Sequence, residues 1–145
     1  MLDGARQPHK VRLAGIDAPE MRQPYGARAK QNLGALVFGK PVVVEWHKRD
    51  RYGRIVGHVL LAAPGDCSRP DCARLADAGL LQIESGLAWH YLRYQSEQAP
   101  EDRRRYAAAE QEARLTRAGL WRDAHPVPPW EYRSHHRAGV ERRDG

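Results

Sequence analysis

The stretch VRLAGIDAPE, residues 11–20, joins a short apolar strand pattern to a charged turn. Apolar residues alternate with Arg12, so the arginine points away from the side of the strand that Leu13 helps to pack. The turn that follows directs the carboxylates of Asp17 and Glu20 beyond the strand end, close to Arg12. An ordinary strand exit with a surface ion pair would explain the same residues, so this stretch alone leaves the function open.

A second charged cluster, RDRYGR at residues 49–54, places three arginines, an aspartate and a tyrosine in a turn that Gly53 helps to close. Taken alone it is also consistent with a solvated loop. Together the two clusters supply a carboxylate for a metal ion, a carboxylate base and two arginines for developing negative charge. These are the groups that phosphodiester hydrolysis requires.

The remaining pattern predicts strands first and helices later. An Asp-Gly turn at residues 3–4 indicates an opening hairpin, and residues 41–46 and 52–62 predict a second hairpin of β-branched strands. Apolar spacing predicts helices over residues 26–40, 73–89 and 101–118. This order favours an α+β fold, a five-stranded OB-type barrel with three helices. We expect one domain at residues 1–130 and a basic, flexible tail at 131–145.

Composition points to a polyanionic partner and away from a membrane. The 145 residues carry 24 Lys and Arg against 18 Asp and Glu, a net charge of +6. No apolar run approaches the roughly 18 residues that span a bilayer, so we expect a soluble protein. Cys67 and Cys72 favour a local disulfide or two unpaired thiols equally. The sequence given has no signal peptide, and we expect a periplasmic or secreted protein, because a disulfide requires an oxidising compartment.

The two charged clusters resemble those of the staphylococcal nuclease, or thermonuclease, family of OB-fold enzymes that cut DNA and RNA using calcium. VRLAGIDAPE is similar to the family's strand-and-turn motif, and DRYGR is similar to its second arginine motif, in the same order. The resemblance continues through QPYGARAK, ESGLAWHY and AEQEARLTRAGLW and covers about residues 1–130.

This resemblance implies a role for each residue of the two motifs. Arg12 and Arg54 would donate to the phosphate oxygens and stabilise the transition state, and Glu20 would be the general base. Asp17 would bind Ca²⁺, with the Ala18 carbonyl as a second oxygen contact.

The resemblance also implies a surface that holds the nucleic acid. Arg51 and Tyr52 correspond to positions that contact a nucleotide phosphate, and Tyr94 corresponds to a base-stacking tyrosine. Leu92 occupies the position of the other stacking tyrosine. Stacking of a base on an aromatic ring contributes roughly 1–3 kcal/mol and tolerates any base. We expect Trp89, in the same stretch, to be a core residue.

One part of the family pattern is missing. An Asp-Gly-Asp stretch on the first barrel strand supplies another metal ligand in the family, and this sequence does not contain it. We expect either a truncated or misassigned start, or a protein without the first strand and with weaker calcium binding. The alternatives to a nuclease are a weak or inactive OB-fold module that binds nucleic acid, and a structural barrel.

Overall fold

The computed structural model describes residues 8–61 and 76–143. The predicted turn at residues 3–4 and the predicted pairing of Cys67 with Cys72 lie outside these ranges. The described strands are β1 (Val11–Leu13), β2 (Ile16–Asp17), β3 (Val42–Arg49), β4 (Ile55–Leu61), β5 (Ala76–Asp77) and β6 (Trp89–His90). The described helices are α1 (Gly26–Val37), α2 (Ala78–Glu84), α3 (Pro100–Leu115) and α4 (Pro129–Arg143).

The strands form two sheets. In the larger one, β4 pairs parallel to β1 and antiparallel to β3 and β5, and a register shift interrupts the β3–β4 pairing between Trp46 and Lys48. In the smaller one, β2 pairs antiparallel to β6. The predicted α+β class and the predicted β3–β4 hairpin are confirmed. No strand pairing among the described residues joins these two sheets into a closed barrel.

Helices α1 and α3 lie where the sequence predicts them, whereas α2 is shorter than expected. It begins after Asp77, whose carboxylate accepts hydrogen bonds from the backbone N–H groups of Gly79 and Leu80. It ends before Gly86, whose φ of +68° is left-handed. The predicted helix over residues 73–89 is therefore wrong at both ends of its described part: Ala76–Asp77 form β5, and after Glu84 the chain turns into β6.

A core of aromatic residues places α4 against the rest of the molecule. Trp89 is 6% exposed, as expected of a core residue, and its ring lies 4.5 Å from that of Trp121 and 5.4 Å from that of Trp130. Tyr91 stacks on Trp130 with ring centroids 5.2 Å apart. The sequence predicted a flexible tail over residues 131–145, but the chain continues as helix α4 to Arg143. Within residues 8–61 and 76–143, every helix falls short of the length and apolar character that a membrane-spanning helix needs.

A buried polar cluster joins the sheet to α3. His58 Nδ1 lies 3.1 Å from Asp77 Oδ2, and Tyr106 donates its hydroxyl to the same oxygen at 2.5 Å. The hydrogen bond to Asp77 raises the pKa of His58 above its ordinary 6.5, although burial opposes this. Burial by itself raises the pKa of Asp77, but the hydrogen bonds from His58 and Tyr106 lower it below 3.8.

These shifts predict a pH window of maximal stabilisation. A protonated His58 stabilises the fold fully below pH 6.5, and this contribution is lost as the pH rises through the raised pKa. Ionised Asp77 contributes above pH 3.8, and its contribution is lost as the pH falls through the lowered pKa. We expect His58→Gln to have a lower free energy of unfolding than the wild type. The difference should be largest between pH 3.8 and pH 6.5 and should disappear toward pH 9. Denaturant melts would measure it. His47→Gln, at an exposed position of β3, is the control, and an equal pH dependence in both variants would contradict the prediction.

Candidate active site

The loop after β2 is held in one shape by Gln23 and Gly26. The backbone N–H of Glu20 donates to Gln23 Oε1 at 2.9 Å, and the Gln23 N–H donates back to the Glu20 carbonyl at 2.8 Å. The Gln23 side-chain amide also donates to the Val127 carbonyl, which ties the loop to the segment before α4. A Cβ on Gly26 would lie 2.0 Å from the Glu20 carbonyl oxygen, so this close approach requires glycine. The backbone position of Glu20 is thus fixed by Gln23 and Gly26.

Asp17 and Glu20 share a cationic partner, Arg133 of α4. Arg133 Nη2 donates to Asp17 Oδ2 at 2.5 Å, and its Nη1 donates to Asp17 Oδ1 at 3.2 Å and to Glu20 Oε1 at 2.7 Å. The Asp17 side chain is 14% exposed. Burial raises the pKa of Asp17, and the hydrogen bonds from Arg133 oppose the shift. The same hydrogen bonds to Asp17 raise the pKa of Arg133, which stays fully protonated.

Arg12 is held by a carboxylate that the sequence did not reveal, Glu97. Its two Nη atoms donate to the two oxygens of Glu97 at 3.1 and 2.8 Å, and Lys48 Nζ lies 2.8 Å from the same carboxylate. The Glu97 side chain is 4% exposed. Burial opposes its ionisation, but the bonds from Arg12 and Lys48 prevail and lower the pKa of Glu97. The guanidinium of Arg12 also lies 5.1 Å from the centre of the Tyr94 ring.

Asp50 connects the two arginine motifs. It accepts the backbone N–H groups of Tyr52 and Arg54 at 2.9 Å each, and Arg54 Nε at 2.7 Å. Arg12 Nε lies 3.5 Å from the same carboxylate. Burial opposes its ionisation, but the bonds from Arg54 and Tyr52 lower the pKa of Asp50. Arg12 and Arg54 are therefore gathered around one anion, although they come from distant parts of the chain.

The predicted nucleic-acid contacts lie on the rim of this cluster. Tyr52 is 68% exposed, and Arg51 donates to its hydroxyl at 2.8 Å. Tyr94 is 38% exposed, and Leu92, 62% exposed, is free to touch a ligand but offers no ring for stacking. The contacts of the described residues bring Arg12 next to Arg54, and Asp17 next to Glu20, but they do not join Arg54 directly to Glu20.

The donor chemistry around Asp17 fits an oxygen-preferring cation. Two carboxylates, Asp17 and Glu20, already converge on one positive group, the guanidinium of Arg133. Ca²⁺ takes carboxylate, carbonyl and water oxygens, so Asp17 with the Ala18 carbonyl would form an open site completed by water. Within residues 8–61 and 76–143 there is no group of three or more His, Cys, Asp or Glu side chains that could hold a metal ion.

Glu97 gives the first test of this network. Because its buried charge is matched by Arg12 and Lys48, we expect Glu97→Gln to lower the free energy of unfolding by about 1–2 kcal/mol at pH 7. A carboxyl with a lowered pKa stabilises above its ordinary 4.5, and this contribution is lost as the pH falls through the lowered value. The loss in Glu97→Gln should therefore shrink below pH 4.5.

Denaturant unfolding at several pH values measures this, and Glu101→Gln is the matched control. Glu101 pairs with Arg105 at 3.0 Å on the exposed face of α3, so its substitution removes the same charge from a solvated pair. Equal losses for the two variants would mean that Glu97 is an ordinary surface residue.

Comparisons with known proteins agree with the two motifs. A family model described as "Staphylococcal nuclease homologue" matches residues 10–123. The chain is 42% identical over 139 residues to "Protein ParB" of Escherichia coli, covering 96% of this chain and 73% of that protein. It is 41% identical over 130 residues to "Micrococcal nuclease" of Shigella flexneri, covering 88% and 70%.

A plant relative is longer. "Staphylococcal-like nuclease CAN1" of Arabidopsis thaliana is 37% identical over 130 residues, which are 90% of this chain and 35% of that protein, so the chain spans about a third of its length. The family match extends through both charged motifs and through the helices that support them. The predicted resemblance is confirmed, and the chain belongs to the staphylococcal nuclease family of nucleases.

Proposed function

We propose that this chain hydrolyses phosphodiester bonds of DNA or RNA with the help of a bound Ca²⁺ ion. The observation that carries the proposal is the shared carboxylate of Asp50, which gathers Arg12 and Arg54 into one cluster, while the charge of Arg12 also acts on Asp17. Two guanidinium groups close together match the oxygens of one phosphate.

The residues of the site have three roles in the proposed reaction. Glu20 accepts a proton from the water whose oxygen attacks phosphorus, while the P–O bond to the leaving oxygen breaks. Arg12 and Arg54 donate to the non-bridging oxygens, where negative charge increases in the transition state. Asp17, with the Ala18 carbonyl, would hold Ca²⁺, which supplies positive charge to the phosphate when it is bound.

Substrate binding involves the exposed residues of the rim. Arg51 and Tyr52 would contact a neighbouring phosphate, and Tyr94 would stack on a base. These contacts do not depend on which base is present, so we expect the protein to bind nucleic acids with little sequence preference. Binding should weaken steeply as the salt concentration rises, because phosphate contacts release counterions.

The role of Glu20 is tested by Glu20→Gln. We expect cleavage of single-stranded and double-stranded DNA and of RNA to fall at least a hundredfold, because the amide cannot accept the proton of the attacking water. Binding to the same substrates, measured by fluorescence anisotropy with calcium chelated, should persist. Glu84→Gln, at an exposed position on α2, is the control. If the wild type binds nucleic acid but cleaves none of these substrates with calcium, the chain is instead a binding module.

Neighbouring arginines of one turn separate chemistry from binding. We expect Arg54→Lys to lower kcat by about a hundredfold, since it removes a donor that acts in the transition state. Arg51→Lys should raise KM with little change in kcat, because it alters a contact made equally in the ground state. Steady-state kinetics on one oligonucleotide would compare the two. Equal changes in KM alone would remove Arg54 from the proposed chemistry.

A further inference from the structure

We infer that Arg133 is a further residue of this site, which holds Asp17 beside Glu20 and competes with a divalent cation for Asp17. This inference rests on the proposed function, because it takes Asp17 as the carboxylate that binds the cation. It concerns a helix, α4, that lies beyond the residues matched by the family model.

The geometry of the contact is that of a specific ion pair. The planar guanidinium meets Asp17 through both Nη atoms, and one of them is shared with Glu20. A fork of this kind is directional as well as charged, which fixes both carboxylates relative to each other. Without a cation of some kind, two carboxylates at this distance from one group would repel each other.

A divalent cation and Arg133 compete for the carboxylate of Asp17. Ca²⁺ binds oxygen at about 2.3–2.6 Å, and the oxygens of Asp17 that it would approach already accept the two Arg133 hydrogen bonds. A cation at that distance would also lie within about 6 Å of the guanidinium nitrogens, where like charges repel. The cation is therefore bound more weakly while the guanidinium stays in place, and more tightly when the arginine withdraws.

Two features of the structure allow the Arg133 side chain to move while its helix stays in place. Trp130, one helical turn earlier, is packed against Trp89 and Tyr91 and fixes the start of α4. The Arg133 side chain is 34% exposed, and it lines an open hollow of about 470 Å³ beside Glu20. The guanidinium can thus swing into the hollow while α4 stays docked through Trp130.

The test measures calcium binding directly, in the absence of nucleic acid, by isothermal titration calorimetry at pH 8. We expect Arg133→Met to bind Ca²⁺ about fivefold more tightly than the wild type, because the partly exposed ion pair that competes with the cation is removed. Arg133→Lys, which keeps the charge but loses the fork, should lie between them. Arg22→Met is the matched control, since exposed Arg22 lines the same hollow and its loss changes the charge equally.

The outcomes separate this inference from the proposed function. Tighter binding in Arg133→Met than in Arg22→Met supports the competition, as does calcium binding that appears in Arg133→Met alone. Equal tightening in the two variants reduces the effect to net charge and overturns the inference, while the proposed calcium site stands. Weaker binding in a folded Arg133→Met also overturns it, since the arginine would then assist the cation. If none of the proteins binds Ca²⁺, the proposed metal dependence fails and the inference fails with it. Should Arg133→Met not fold in circular dichroism, unchanged affinity in Arg133→Lys would overturn the competition.

Discussion

The structure of this site depends on one constraint: each charged side chain is paired with a side chain of opposite charge from the same chain. Half-buried charges are costly unless each one has a partner of opposite sign. Four cations and four carboxylates solve the problem together here: Arg12, Lys48, Arg54 and Arg133 with Asp17, Glu20, Asp50 and Glu97. The shape of the site is therefore set by ion pairs as much as by the strands that carry them.

Internal neutralisation has a consequence for ligand binding. A phosphate that approaches Arg12 must compete with Glu97 and Asp50, and a cation that approaches Asp17 must compete with Arg133. Binding is therefore an exchange of partners, which contributes less free energy than binding to bare charges. A cation and a phosphate that arrive together restore the balance of charge that each would disturb alone. On the proposed function, this coupling favours the complete complex over either partial one.

The sequence predicted the local parts of this arrangement and missed the long-range ones. The strand and turn around Asp17, the β3–β4 hairpin and α1 follow from alternation, turn residues and helical spacing, which act over a few residues. Glu97 meets Arg12 across 85 positions, and Arg133 meets Asp17 across 116. Such partners leave no periodic signal, because a single charged residue in a polar stretch looks the same whether it is solvated or paired. Helix α4 was missed for a related reason: its described contacts are made by Trp130 and Arg133 rather than by an apolar stripe.

The position of Arg133 follows from the same ladder that positions Asp17. Asp17 lies opposite Trp89 in the β2–β6 ladder, and Trp89 packs directly against Trp130 of α4. A shift of β6 would therefore move Asp17 and Trp130 together, so the distance between Asp17 and Arg133 would be preserved. A flexible tail could reach the carboxylates too, but it would lose conformational entropy each time it did so. Because the helix has already lost that entropy on folding, Arg133 stands at Asp17 as a fixed group of the site, and a ligand must displace one side chain rather than a segment of chain.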